Sequence, residues 1–464
     1  METLKTKKKM FFNDAFLEKK ALEIVRFFKA EFVDALNRPA AYAHLDDIVP
    51  YLLYFGERDL VKQIIMQSKV FSFRGLIHYG DRIISYQNDE FLGGMVAYYE
   101  QTKDNDVYGL IKQTARGIGQ LLFRDGFMVT AYDIRKEKKS KITSPRTAAV
   151  LEVLIKYGEI FPSLKKQALE TIDNWISTKF FKKFGLFPTK YYIGDRFLNF
   201  LCMNSYLPRI KSSSRLYKFN YSEYYKFGYR GIKKHIVDII HSIPNSRMAF
   251  FEKGNSNFAY ALIAAYQATN NNIYKDALIK MAKSLGKIIG ENNYITRPML
   301  LGRHIDRGRN NYDISLDQNE AVIDLLCDIY CLVDRDESYL RLAERMAEYW
   351  VGLRWDNGLV PNLPEAGFDH IDNQTDFSVA LYRLYELTGK QRYREIGREI
   401  FDAILKYHHS EKGYILSVNK EGQICNRLVM IRHNALFLKC FILYGTDNPK
   451  IYKNNNLHDL MKDR

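Results

Sequence analysis

Acidic residues recur at positions that read as helix starts: Asp47, Asp89 with Glu90, Asp317 with Glu320, and Asp372 with Asp376. Carboxylates offered in pairs can divide the work of acid and base about one bond, provided their surroundings hold one protonated and the other ionised. Each also has a plainer role. Asp317-Gln318-Asn319-Glu320 has the form of a capping box and Asp372 that of an N-cap. Asp89 beside Glu90 exceeds what one cap requires. Asp89, Asp317 and Asp376 are therefore the catalytic candidates.

The segment from Leu301 to Asp313 holds Arg303, His304, Asp306, Arg307, Arg309 and Tyr312 within a short span. Arginine grips a carboxylate or phosphate through two parallel hydrogen bonds, so Arg303, His304 and Arg309 are candidates for binding an anionic group; a solvated polar loop is the alternative. A second loop brings Glu365, Asp369 and His370 beside Phe368, and His433, preceded by Arg432, opens the last helix. A histidine there suits a cap or a core position as well as catalysis. Most of the 33 tyrosines suit helix packing, whereas Trp355, like Phe127, Tyr191 and Tyr414, follows or flanks a glycine loop and is placed to line a groove. The 5 cysteines form no C-x-x-C pair, which leaves neither a disulfide framework nor a zinc site. Cys327 and Cys331, four apart on a helix, read as core. No metal or cofactor is expected.

The elements that position these residues repeat along the chain. Phe377, Ala380, Leu381 and Leu384 mark one helical face, and Ile396, Ile400, Phe401 and Ile404 mark a second. Between them runs a polar turn from Tyr385 through Thr388 to Tyr393. The same punctuation appears at Tyr99-Thr102-Tyr108 and Tyr266-Thr269-Tyr274, and with Val333 in place of threonine between Tyr330 and Tyr339. So short a loop joins antiparallel neighbours, making each unit a helical hairpin. Second helices end in a glycine followed by alternating apolar residues, at Gly75, Gly126, Gly185, Gly358 and Gly413, which predicts a left-handed helix end and a short extended segment.

Hairpins are expected at residues 45 to 80, 89 to 132, 144 to 193, 255 to 300, 316 to 363 and 372 to 418. Helices near 14 to 36 and 433 to 444 remain, and can pair to close a ring as a seventh element. Residues 194 to 254 break the rhythm and read as an insertion. The prediction is one all-α domain over 1–464, an (α/α)6 toroid with short β segments in its long loops. Turns within hairpins are short and connections between them long, so the unusual residues gather on one face, where the helix N-termini also converge.

The hairpin repeat, the Gly-aromatic loop signals and the stretch Asp356-Asn-Gly-Leu-Val-Pro-Asn362 resemble the six-hairpin glycosidase superfamily, most strongly from about 255 to 445. The resemblance implies a carbohydrate-active enzyme, glycoside hydrolase-like, acting on an oligosaccharide or polysaccharide precursor, anionic ones included. A uronate-directed epimerase or polysaccharide lyase is the alternative, as is a noncatalytic toroid that binds glycan or protein in polysaccharide biosynthesis. Lys and Arg total 69 against 54 Asp and Glu, but the excess is spread, so nucleic acid is a distant third partner. After the N-terminal lysines only Met10, Phe11 and Phe12 are apolar before Asn13, and no long apolar run follows. A cytoplasmic protein without a transmembrane segment is expected.

Overall fold

The computed structural model describes residues 15–35, 44–188, 191–195, 199, 253–295, 299–300, 303–304 and 314–446. The described helices in chain order are α1 (Ala15–Ala35), α2 (Leu45–Tyr54), α3 (Arg58–Gln67), α4 (Gln87–Thr102), α5 (Asn105–Leu121), α6 (Ala148–Lys156), α7 (Pro162–Ile176), α8 (Lys179–Phe184), α9 (Lys253–Thr269), α10 (Asn272–Asn292), α11 (Leu316–Leu332), α12 (Ser338–Val351), α13 (Ile371–Thr388), α14 (Gln391–Tyr407) and α15 (Ile431–Thr446). None is long and apolar enough to cross a membrane.

An inner ring runs α2, α4, α6, α9, α11, α13, α15, each helix packing on the next and α15 returning to α2. Its members are buried on most sides; α15, for instance, buries Ala435, Leu436, Phe437, Leu438, Cys440 and Phe441 in succession. The outer helices α3, α5, α7, α10, α12 and α14 each back the inner helix that precedes them and show one apolar stripe, as in Tyr393, Ile396, Ile400, Phe401 and Ile404 of α14. The expected six hairpins are thus present as consecutive pairs. The helix at the start of the chain packs on the one near its end, α1 on α15, and supplies the closing pair.

Of the glycine signals, Gly185 ends a helix in the left-handed conformation, whereas Gly75 and Gly126 lie in tight hairpins. Ser72–Phe73 pairs with Leu76–Ile77 around Arg74-Gly75, and Phe123–Arg124 with Phe127–Met128 around Asp125-Gly126. Both central residues have positive φ in each case, the geometry of a two-residue turn matched to strand twist. A side chain at Gly75 would also meet the backbone of Gln113 and Thr114 in α5, so the turn is seated on the outer helix. The insertion expected at 194 to 254 falls almost wholly outside the described residues.

A side-chain amide in the first turn of an inner helix fastens each of these loops. Asn88 accepts from the Ile77 N–H at 2.8 Å and donates to the Ile77 carbonyl at 3.2 Å. Asn255 does the same to Phe187 at 2.9 and 3.1 Å, Asn319 to Ile295 at 2.9 and 3.1 Å, and Asn434 to Tyr414 at 2.8 and 2.9 Å. Gln374 clamps both backbone groups of Val360. Before α6 a hydroxyl substitutes, with Thr143 donating to the Met128 carbonyl. The clamped residue is apolar and buried, so its backbone groups have no water to turn to.

Replacing Asn319 by Ala orphans two buried backbone groups, each costing about 1–3 kcal/mol. A loss of about 2–6 kcal/mol is expected, read as a lowered denaturation midpoint with the helical circular dichroism kept. A loss below about 0.5 kcal/mol, the range of an ordinary surface substitution, would show that the clamp is not a determinant of the fold.

Candidate functional site

The inner helices open on one face of the ring, and there their first turns carry the polar residues. Gly94 sets the closest approach: a Cβ added to it would stand 2.5 Å from the Leu45 carbonyl carbon, so only glycine lets α4 lie this close to α2. The contact brings Asp46 and Asp47 of α2 beside Asp89 and Glu90 of α4. His44, just before α2, hydrogen-bonds through Nδ1 to the Glu90 carboxylate. From α15, Arg432 donates through Nε to Asp47 at 2.6 Å and lies 3.6 Å from Asp372 of α13. His433 Nε2 is 3.7 Å from the same Asp372, and its ring meets that of His370 edge-on at 5.0 Å between centroids. Four chain segments, at 44–47, 89–90, 370–372 and 432–433, thus build one cluster.

Burial and crowding set the charge states. Burial, then the neighbouring carboxylates of Glu90, Asp47 and Asp89, raise Asp46 well above the usual carboxylate range. Asp89 is raised by burial and then by Glu90, and its Oδ1 has no hydrogen-bond partner. Burial lowers both histidines against the pull of Asp372, His433 to about 4, so both imidazoles are neutral near pH 7. The Nδ1 atoms of both rings are buried without a partner. Burial opposes the charge of Arg432, but Asp47, Asp372 and Glu90 outweigh it. Beside the acids, burial and Glu90 raise Tyr79 to about 12, and Arg146 lies 5.2 Å over the ring of Tyr86.

Several expectations meet at this cluster. Asp89, His370 and His433 belong to it, and Asp317 is near enough to act on the charge of His370. Asp376 lies one turn below Asp372, half-buried, where its charge reaches Tyr51 and Cys440. The capping reading of two acids does not hold. The N-cap of α11 is Ser315 and that of α13 is His370, so Asp317 and Asp372 sit inside the first turn.

Other candidates stand elsewhere. Asp369 is fully buried, its Oδ2 at 2.7 Å from His408 Nε2 and its Oδ1 accepting from the Val418 N–H at 2.8 Å, so both oxygens serve the core. Glu365 is exposed. Trp355 packs against the core in a turn closed by its own N–H to the Leu359 carbonyl, beside a glycine seated on Ala403 of the outer helix α14. Arg303 and His304 form a strand paired with Met299–Leu300, and Arg309 lies outside the described residues. His44 and Asp46 were not foreseen; the signal was a histidine and two acids at the start of the first inner helix.

A second charged tier lies deeper in the ring. Arg383 of α13 pairs with Asp328 of α11, with Asp324 at 3.9 Å. This buried group ties adjacent inner helices together.

No family profile matches the sequence. The chain is 27% identical over 154 residues to the uncharacterized protein B0495.5 of Caenorhabditis elegans, a stretch covering 30% of this chain and 21% of that protein, so the match spans about a fifth of the relative's length. Solved structures match nearly end to end. The alpha-1,2-mannosidase of Trichoderma reesei superposes with a TM-score of 0.60 over 93% of each chain at 11% identity. D-mannose isomerase does so with 0.55 over 84% of this chain and 98% of its own at 12% identity, and the cellobiose 2-epimerase of Bacillus thermoamylovorans with 0.54 over 79% and 91% at 14% identity. The chain has the six-hairpin glycosidase-like fold. What is shared at such identities is architecture, and the residues of this toroid's mouth must be judged on their own chemistry.

His433 makes stability depend on pH. The fold holds the imidazole neutral down to about pH 4, whereas the unfolded chain takes up a proton near 6.5. Its contribution is complete above about 6.5 and is lost as pH falls toward 4, roughly 3 kcal/mol in all. Asp46 and Asp89 act in the opposite sense, since the fold keeps protons that the unfolded chain releases as pH rises. The parent should therefore lose more stability between pH 7 and 4 than His433→Asn, measured by urea titration at each pH. Equal losses would show that His433 is not held neutral.

Proposed function

We propose that this protein is a carbohydrate-active enzyme, glycoside hydrolase-like, whose reaction takes place at the open mouth of the ring. The observation that carries the reading is the pairing of unlike acids there. Asp89 and Asp46 are crowded toward the protonated form, while Asp47 and Asp372 lie against the Arg432 guanidinium. Cleaving a glycosidic bond asks for such a division, with one carboxyl giving a proton to the leaving oxygen and one carboxylate activating water or attacking from the other side. In this reading Asp89 is the acid and Asp372 the carboxylate, with Tyr79 and Tyr86 offering faces for a sugar ring. Among the described residues the mouth carries more carboxylates than cations, which favours an uncharged sugar over an anionic one. The names of the similar folds, a mannosidase, a mannose isomerase and a cellobiose epimerase, agree with a sugar substrate.

One observation favours a second reading within the same class. His370 and His433 are neutral, adjacent and have unpartnered Nδ1 atoms, which suits removal and return of a proton beside a sugar carbonyl, the step of an epimerase or isomerase.

A panel of manno- and gluco-oligosaccharides, followed by NMR in D2O, separates these outcomes. Hydrolysis releases new reducing ends without deuterium on carbon; epimerisation or isomerisation carries deuterium into the product. Under the first reading Asp89→Asn and Asp372→Asn should each lower turnover about 10²–10⁴-fold with the fold intact, and His370→Asn should matter less. Turnover unchanged in both aspartate variants would sink the assignment.

A further inference from the structure

The first turns of α2 and α4 bring together donor atoms that neither reading of the sugar chemistry requires. A His44 ring nitrogen, an Asp47 oxygen and a Glu90 oxygen all lie within 4.8 Å of one another. Asp46 stands beside the carboxylates of Glu90, Asp47 and Asp89, and Asp89 is nine-tenths buried with Oδ1 lacking any hydrogen-bond partner. Four carboxylates thus crowd a patch whose described cationic neighbour is Arg432, already bonded to Asp47 and near Asp372. Like charges so placed repel, and a dication among them would relieve the crowding.

We propose that His44, Asp47 and Glu90 form a divalent metal site at the rim of the mouth, of the Mn²⁺ or Zn²⁺ class. The donor set decides the class. One imidazole nitrogen with two carboxylate oxygens suits a borderline ion that accepts both, whereas Ca²⁺ and Mg²⁺ favour oxygen alone. Three protein ligands leave further positions open, as in sites that hold water or substrate. Arg432 then takes the part of an outer partner, its bond to an Asp47 oxygen fixing that carboxylate. The inference goes beyond the sugar reading and stands on donor geometry alone.

The test uses the tag-free full chain, stripped with chelator and titrated with Mn²⁺ under electron paramagnetic resonance. One saturable ion per chain is expected, with electron spin echo modulation from a coordinated imidazole nitrogen. His44→Ala should abolish the nitrogen modulation, and both it and Glu90→Gln should weaken binding about tenfold or more, with circular dichroism unchanged. His409→Ala, on the outer surface, should bind as the parent does. No saturable binding of Mn²⁺ or Zn²⁺ up to millimolar concentration, or a bound ion without nitrogen modulation in the parent itself, would overturn the site. Because no turnover is measured, that result would leave the proposed sugar chemistry standing.

Discussion

One side-chain amide, closing on both backbone groups of a single loop residue, holds each of five described loops to the ring. A loop that dips into an apolar core brings a peptide N–H and C=O away from water, and leaving them unpaired is expensive. Asn88, Asn255, Asn319, Gln374 and Asn434 meet that need with matched donor and acceptor. Each clamp also fixes the rotation of the first helical turn around it. Asp89 and Glu90 follow Asn88, Asp317 and Glu320 flank Asn319, Asp372 and Asp376 flank Gln374, and Arg432 and His433 precede Asn434. In α4, α11, α13 and α15 the polar residues of the mouth sit on first turns to which the clamped amides leave little freedom.

Concentrating acids at such a place has a physical justification. The inner helices present their amino ends to this face, where unpaired N–H groups and the helix dipole favour negative charge. That field offsets part of the repulsion among Asp46, Asp47, Asp89 and Glu90, though burial keeps two of them inclined to hold a proton. The deeper pair of Arg383 with Asp328 lies near the other end of its helices and serves cohesion.

The architecture was largely legible in the sequence because it rests on short-range signals. Helical periodicity, the Tyr-to-Tyr turns and the glycine-led hairpins are written within a few residues of one another. The site was legible only in part, because its partners come from distant segments. Asp369 reads like its neighbour His370, yet it is claimed by His408, 39 residues away, which no local pattern announces. Asp317 and Asp372 looked like caps because their spacing fits a capping rule, but each helix begins earlier than the polar run suggested. The clamps were visible as an amide in the first turn of helix after helix. Their meaning needed the loop residue each one grips.

Closure of the ring joins the ends of this toroid: α1 packs on α15, and α15 on α2. The ion pair across that seam is Arg432 with Asp47, 385 residues apart in sequence and both at the mouth. A chain emerging from the ribosome can fold hairpin after hairpin by local contacts, but this seam must wait for α15. The mouth is therefore the last part of the described ring to be completed. Until then the acids of α2 and α4 stand without their arginine, and an unfinished chain has walls but no closed mouth.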